Sequence, residues 1–247
     1  MNFPIAMAIC SFFVLWVSAR IGVLFRARIK RVEDDHEDFS VISGAVLTLL
    51  GLLIGFSFSM AISRYDQRKN YEEEEANAIG TEYVRADLLP SANASKTHEL
   101  LAKYLDLRIK FYESRSEKQV DQINAETAQL ENQLWSELTP AAIANPTPVM
   151  ATVVTGMNDV LNRQGYTQAA WWNRIPTAAW SLMMLIAIGS NLLLGYGMHR
   201  KSEFMFLIVP LAVSISFMLI ADIDSPRRGL INVRPQNLIS LSQSLPH

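Results

Sequence analysis

Ser40-Val-Ile-Ser-Gly44-Ala-Val-Leu-Thr48-Leu-Leu-Gly51-Leu-Leu-Ile-Gly55-Phe56-Ser-Phe-Ser59-Met-Ala-Ile-Ser63 runs for 24 residues without a charge and then meets Arg64-Tyr65-Asp66-Gln67-Arg68. About 20 helical residues cross a hydrocarbon core of roughly 30 Å, so a run of this length is a membrane span. Outward from it the same pattern recurs three times. Residues 3–25 carry Arg20 as their only charge, residues 175–198 carry none, and residues 204–221 carry none before Asp222-Ile223-Asp224. Four spans follow, and a soluble enzyme is excluded as the first reading.

The average composition hides this. The 247 residues are 50% apolar and 19% charged, with a net charge of −2, yet residues 64–175 hold 12 of the 22 Lys/Arg and 16 of the 24 Asp/Glu. The near-neutral balance gives no basic footprint, so no nucleic-acid partner is expected. Cys10 is the only cysteine, which excludes a disulfide within one chain. His36, His98, His199 and His247 lack zinc-like spacing. No nucleotide loop, zinc-protease helix or nucleophile elbow is present, so no enzyme, cofactor or metal site is expected.

Each span has its own signals. Arg20 sits near the end of the first and reads as an interface anchor whose long side chain reaches the headgroups. No positive charge precedes residue 4, so the first span is expected to be a retained anchor rather than a cleaved signal. Four spans place both termini and residues 64–174 on one side, and loops 26–39 and 199–203 on the other. The loops carry Arg26, Arg28, Lys30, Arg31, Arg200 and Lys201. The uncharged start and arginine-rich end of the first span favour those loops in the cytoplasm, which turns the segment 64–174 toward the periplasm of a bacterial inner membrane. The expected domains are 1–63, 64–174, 175–221 and a tail, 222–247.

The 64–174 segment lacks the period of two that strands require and reads as helical. Residues 64–89 extend the second span, with Ala76, Ile79, Tyr83 and Ala86 as a seam and Glu72-Glu73-Glu74-Glu75 as a solvated face. Leu89-Pro90 ends that helix, and Ser95 is expected to cap the next from Lys96. A break is expected at Ser114-Arg115-Ser116-Glu117 and another at Thr139-Pro140. A third helix is expected from Pro148, with Val149, Val153, Met157 and Val160 on one face and Gly165 near its end. Trp171, Trp172 and Trp180 are expected in the headgroup layer. The fold class is therefore an all-α membrane protein with four transmembrane helices and a long helical extramembrane bundle between helices 2 and 3.

Two places carry functional signals. Gly44, Thr48, Gly51, Gly55, Ser59 and Ser63 recur at steps of three and four, so one face of the second span is small and polar. That face either packs closely on another helix, as a GxxxG at Gly51–Gly55 allows, or lines a pore. Asp222 and Asp224 lie at a membrane boundary, where carboxylates need partners. Arg227 and Arg228 nearby, with Arg64 and Arg68 from the second span, make an ion-pair cluster, while two carboxylates two residues apart also allow a hard cation.

The run Gly51-Leu-Leu-Ile-Gly55-Phe56-Ser-Phe-Ser59-Met-Ala-Ile-Ser63-Arg64-Tyr65-Asp66, continuing through Glu75-Ala-Asn-Ala-Ile-Gly80-Thr and Tyr83-Val-Arg85-Ala-Asp87-Leu-Leu-Pro90, resembles the bacterial bestrophin-like membrane family. The closing Asp222-Ile-Asp224-Ser-Pro-Arg227-Arg228-Gly resembles that family's end. The resemblance implies a pentameric anion channel whose second helix lines a hydrophobic neck, with Phe56 and Arg64-Tyr65 matching the phenylalanine and the Arg-aromatic pair of that helix. It also implies a cytosolic bundle, against the charge distribution. Ser57 stands where bestrophins have an arginine, Ser59 where they have an asparagine and Asp66 where a second aromatic is usual. Their acidic calcium clasp has no clear counterpart.

Two functions remain. One is an oligomeric ion channel of four or five copies, lined by Gly44, Thr48, Gly51, Gly55, Ser59 and Ser63, constricted at Phe56 and ringed by Arg64 at the mouth, with the bilayer, inorganic ions and its own copies as partners. The other is a non-conducting membrane scaffold or sensor whose bundle recruits a partner. A transporter ranks third, since neither an inverted repeat nor paired broken helices are visible.

Overall fold

The structure is a computed structural model that describes residues 3–28, 36–197 and 205–245. Among these residues every regular element is helical: α1 (Phe3–Arg28), α2 (His36–Arg85), a 3-10 turn (Ala86–Leu88), α3 (Ser91–Glu113), α4 (Glu117–Ala144), α5 (Pro148–Trp172), α6 (Thr177–Gly197), α7 (Met205–Asp224) and α8 (Gln236–Ser244). Most of the loop residues 26–39 and 199–203 lie outside the described residues. Four helices contain stretches long and apolar enough to cross a membrane: α1, α2, the helix pair α5–α6 and α7. In α2 that stretch is the uncharged 40–63, and in α5–α6 it lies from residue 175 onward. The protein is an all-α membrane protein.

The chain divides into two compact units, Met1–Arg64 with Arg174–Asn232, and Tyr65–Asn173 with Val233–His247. The first has a small core to which each of its four helices contributes: Leu15 from α1, Leu50 from α2, Met183 and Ala187 from α6, Val213 and Phe217 from α7. Two backbones meet closely there. A β-carbon on Gly195 would fall 1.9 Å from the Ala19 carbonyl oxygen, and one on Gly22 would fall 2.1 Å from that of Leu192, so both positions require glycine. Ser18 Oγ donates to the Ile188 carbonyl at 2.8 Å. The Arg20 guanidinium lies over the rings of Trp16 and Phe206, at 5.3 and 5.9 Å from their centroids.

The second unit is a helical bundle around Ile79, Leu101, Tyr104, Phe111, Leu134, Met157 and Val160, with Val233 and Leu238 reaching in from the chain's end. The seam of Ala76, Ile79 and Ala86 is buried there, with Tyr83 packed against it. The break falls between Glu113 and Glu117 as the sequence suggests, and Pro148 opens α5 behind Thr147, whose side chain accepts from the Met150 N–H at 3.1 Å.

Other boundaries differ from the sequence reading. The helix expected from Lys96 under a Ser95 cap begins at Ser91, because Pro90 holds the turn and its carbonyl accepts from the Ala94 N–H at 2.9 Å. Pro140 does not interrupt α4, which continues to Ala144. The proline is on the exposed side, so the carbonyl it deprives of a donor faces away from the core, where water can satisfy it. Gly165 does not end α5 either. It is exposed, while Thr167, Ala170 and Trp171 carry the buried stripe two turns further.

Two expectations about polarity fail. Trp171 does not turn its indole outward: it is 3% exposed and packs edge-on against Phe111 and Tyr112, with ring centroids at 5.1 and 5.4 Å. Trp172 is exposed, and Trp180 packs edge-on against Phe217. The Glu72–Glu75 run is not a solvated face, since Glu72 and Glu75 are buried while Glu73 is exposed.

Candidate functional site

The apolar half of α2 has two contrasting faces. Ser43, Leu50, Ser57 and Ala61 recur at steps of seven and four and are buried, with Leu50 in the core and Ser57 Oγ 3.1 Å from Met183 Sδ. Gly44, Thr48, Gly51, Gly55, Ser59 and Ser63 are all exposed and lie about 150° round the helix from that face, at 100° per residue. A β-carbon built on Gly44, Gly51 or Gly55 meets nothing within 4 Å. Close packing inside the protomer therefore uses Gly22 and Gly195, and the Gly51–Gly55 pair takes no part in it. Thr48 donates its hydroxyl to the Gly44 carbonyl at 2.9 Å, so the stripe keeps one polar group satisfied by its own helix. Phe56, 61% exposed, flanks the stripe.

At the end of that segment Arg64 pairs with Asp224 at 3.3 Å, both side chains mostly buried. The Asp224 carboxylate also accepts the Ile175 N–H at 3.0 and 3.2 Å, which ties the end of α7 to the entry of α6. Asp222 has a separate task. It accepts the N–H groups of Leu230 and Ile231 at 2.6 and 2.8 Å and thereby closes the turn Ser225–Gly229. Gly229 is required there, since a β-carbon would fall 2.4 Å from the Asp222 carbonyl oxygen. Arg227 is half-buried and Arg228 exposed on the same turn. Arg68 belongs to the second unit, buried, with its guanidinium donating to the carbonyls of Ala170 and Asn173 at 3.1 and 3.2 Å. Of the expected cluster, the structure thus joins Arg64 to Asp224, gives Asp222 a backbone task and places Arg68 on backbone carbonyls. Among the described residues no group of three or more His, Cys, Asp or Glu side chains could hold a metal ion.

The bundle unit contains buried polar groups that the sequence reading left on a solvated face or did not assign a role. Glu75 and Arg108 form an ion pair with both side chains 0% exposed. Tyr112 and Thr167 donate their hydroxyls to the other Glu75 oxygen at 3.2 and 3.1 Å, and Arg108 lies 4.4 Å over the Phe111 ring. Burial pushes the Tyr112 and Tyr104 phenols well above their ordinary range and raises the Glu131 carboxyl, which accepts from Tyr104. Glu72 accepts the N–H groups of Asn237 and Leu238 at 2.9 and 3.0 Å and the Asn237 amide at 2.6 Å, capping α8. Their spacing was the available signal: 72, 75, 79, 82 and 86 step by three and four along the Ala76–Ile79–Ala86 seam, which places the glutamates on the buried face.

The sequence signature of the Bestrophin-like domain matches residues 11–238. The chain belongs to the Bestrophin-like family. Its fold is that of a bacterial Bestrophin homolog from Klebsiella pneumoniae: a variant crystal structure is similar with a TM-score of 0.68 at 12% identity, covering 99% of this chain and 100% of that one. A second crystal structure of a Klebsiella pneumoniae homolog gives 0.64 at 15% identity, covering 98% and 99%. No curated protein matches the chain. The family match spans both halves of α2 and the Asp222–Arg228 turn, so the uncovered stripe and the Arg64–Asp224 pair lie within the matched domain.

Proposed function

We propose that this Bestrophin-like protein is the protomer of an oligomeric ion channel whose pore is lined by the 40–63 segment of α2. The observation that carries the reading is the two-sidedness of that segment. One face is packed into the protomer, while the opposite face of Gly44, Thr48, Gly51, Gly55, Ser59 and Ser63 is uncovered and rich in small polar residues. A helix is roughly 10 Å across, so four or five copies are needed before a ring of them leaves room for an ion. In such a ring the small residues widen the path and Phe56 narrows it. Arg64 stands at the mouth, its charge partly neutralised by Asp224, which favours anions through the field of a paired guanidinium rather than a bare one. Membership in the Bestrophin-like family supports the same reading, of which a place in the bacterial inner membrane is part.

The test is the current across a planar bilayer containing the purified protein under a chloride gradient, with Phe56→Ala and Arg64→Ala alongside. The expected result is a reversal near the chloride potential, a larger conductance in Phe56→Ala and weaker anion preference in Arg64→Ala. A silent bilayer for all three proteins, or a dimer in mild detergent, would instead support a scaffold that the spans merely anchor.

A further inference from the structure

One buried ionisable side chain on the α2 stripe has no partner. Glu82 is 0% exposed, and neither of its carboxylate oxygens has a hydrogen-bond donor. It lies against Gly156 of α5, where a β-carbon would fall 2.0 Å from Glu82 Oε2 and 2.4 Å from Arg85 Nη1. With glycine at 156 the carboxyl group and the neighbouring guanidinium pack directly on the α5 backbone; a larger residue would displace these two side-chain ends. Gly156 also lines a cleft of about 310 Å3 between α2 and α5, with Glu74, Asn77, Thr81 and Arg85 on one wall and Asp159 and Arg163 on the other.

We propose that the contact of Glu82 with Gly156, beside this cleft, is a proton-controlled latch: protonated, Glu82 seals against Gly156 and holds α2 to α5; deprotonated, it opens that seam. An ionised carboxylate with no donor cannot stay in such a site, because burying an unpaired charge costs several kcal/mol while the neutral acid costs far less. The charged groups facing it do not remedy this. Arg85, on its own helix, attracts the ionised form, yet no hydrogen bond joins the two. Asp159, from α5, repels it. Glu74 and Arg163, across the same cleft, pair with each other. Burial accordingly pushes the Glu82 carboxyl up to about 8, against the pull of Arg85 and with the help of Asp159. The proton is therefore held at neutral pH and released within an accessible range.

The experiment is hydrogen–deuterium exchange by mass spectrometry on the full-length protein in lipid nanodiscs, from pH 6 to 9.5, corrected for the intrinsic pH dependence of exchange. Sealing is linked to the uptake of one proton, so opening of the α5 amides should rise by up to about tenfold per pH unit between about 5 and 8 and level off above 8, where the sealed state ionises as well. Glu82→Gln, which imitates the neutral acid, should keep α5 protected throughout. Asp159→Asn, at an exposed position, should lower the pH at which opening levels off, and Arg85→Gln should raise it. Unchanged α5 protection across the range in the wild type would overturn the proposal. So would a Glu82→Gln protein that loses protection at the same pH as the wild type, or an Asp159→Asn protein whose transition does not move.

Discussion

Cutting the Glu75–Arg108 pair from either side should have unequal consequences. Both side chains are 0% exposed, but their remaining partners differ. Without Arg108, Glu75 keeps the hydroxyls of Tyr112 and Thr167. Without Glu75, Arg108 keeps the Phe111 face and the charge of Glu131 but no hydrogen-bond acceptor, for its Nη1 and Nη2 already lack acceptors. A guanidinium cannot escape by losing a proton, whereas a carboxylate can gain one. Glu75→Leu should therefore cost about 3–5 kcal/mol, the range for a buried ion left unpaired. Arg108→Met should cost only about 1–3 kcal/mol. The double variant removes both charges and should be more stable than Glu75→Leu, as apolar replacements of buried pairs often are. At about 2–4 °C per kcal/mol for a protein of this size, Glu75→Leu should melt roughly 6–20 °C below wild type. Thermal unfolding of the detergent-solubilised protein can be followed by Trp171, which packs on Phe111 and Tyr112 beside the pair, with the other four tryptophans replaced by Phe. Equal losses in the two single variants, adding in the double, would refute this account.

Four further outcomes are expected. Gly195→Ala should sharply reduce the yield of monodisperse protein, because its β-carbon would fall 1.9 Å from a backbone oxygen, whereas Gly51→Ala, with nothing within 4 Å, should fold normally. Glu72→Ala should weaken the docking of α8 by about 1–3 kcal/mol and speed proteolysis within 236–244; an unchanged cleavage rate would show that the cap is dispensable. Glu82 is raised from 4.5 to about 8, so the folded state holds a proton that the unfolded chain has released, and stability should fall as pH rises from about 5 to 8. The ceiling is about 5 kcal/mol at about 1.4 kcal/mol per unit, and Glu82→Gln should flatten the profile of melting temperature against pH. A cysteine placed at exposed Asn162 in a Cys10→Ser background should react with an impermeant maleimide in intact cells if the charge rule sets the orientation; labelling only after permeabilisation would put the bundle in the cytosol.

The spans were legible because hydrocarbon imposes a crude requirement, a length with at most one charge, that 40–63 and its three counterparts meet. The break before Glu117 and the start at Pro148 were legible because local chain chemistry decides them. Pro140 and Gly165 were misread for the opposite reason: both are poor helix residues, but both are exposed, and the buried stripes of α4 and α5 hold the helix through them. Trp171 was misread because an indole beside a span looks interfacial until Phe111 and Tyr112, some 60 residues earlier in the chain, are brought against it. The two glycines that matter most for packing, Gly22 and Gly195, sit in no motif. What makes them necessary is the approach of α1 to α6, a tertiary fact that spacing alone does not announce. The Arg64–Asp224 pair was legible, since carboxylates at a membrane boundary need partners, whereas the backbone tasks of Asp222 and Glu72 were not, since backbone N–H groups leave no trace in a sequence.

One stripe of α2 gathers these threads. Ser43, Leu50, Ser57 and Ala61 are followed on the same helix by Arg68, Glu72, Glu75, Ile79 and Glu82, all of them buried. The residues change character where the chain leaves hydrocarbon, because there a buried ion can find donors or acceptors that a lipid-facing helix does not offer. Arg68 has two carbonyls, Glu72 has the start of α8, and Glu75 has Arg108 and two hydroxyls. Each charge is matched, which is what allows a helix to bury ionisable groups along a packed face. Glu82 breaks that regularity. It has the burial of its neighbours without their hydrogen-bond partners, and its carboxyl group lies against the glycine opposite it. A stray ionisable group on a packed stripe destabilises the fold at any pH where it is charged, so its presence there is understandable if the bundle works with Glu82 protonated and responds when that proton is lost.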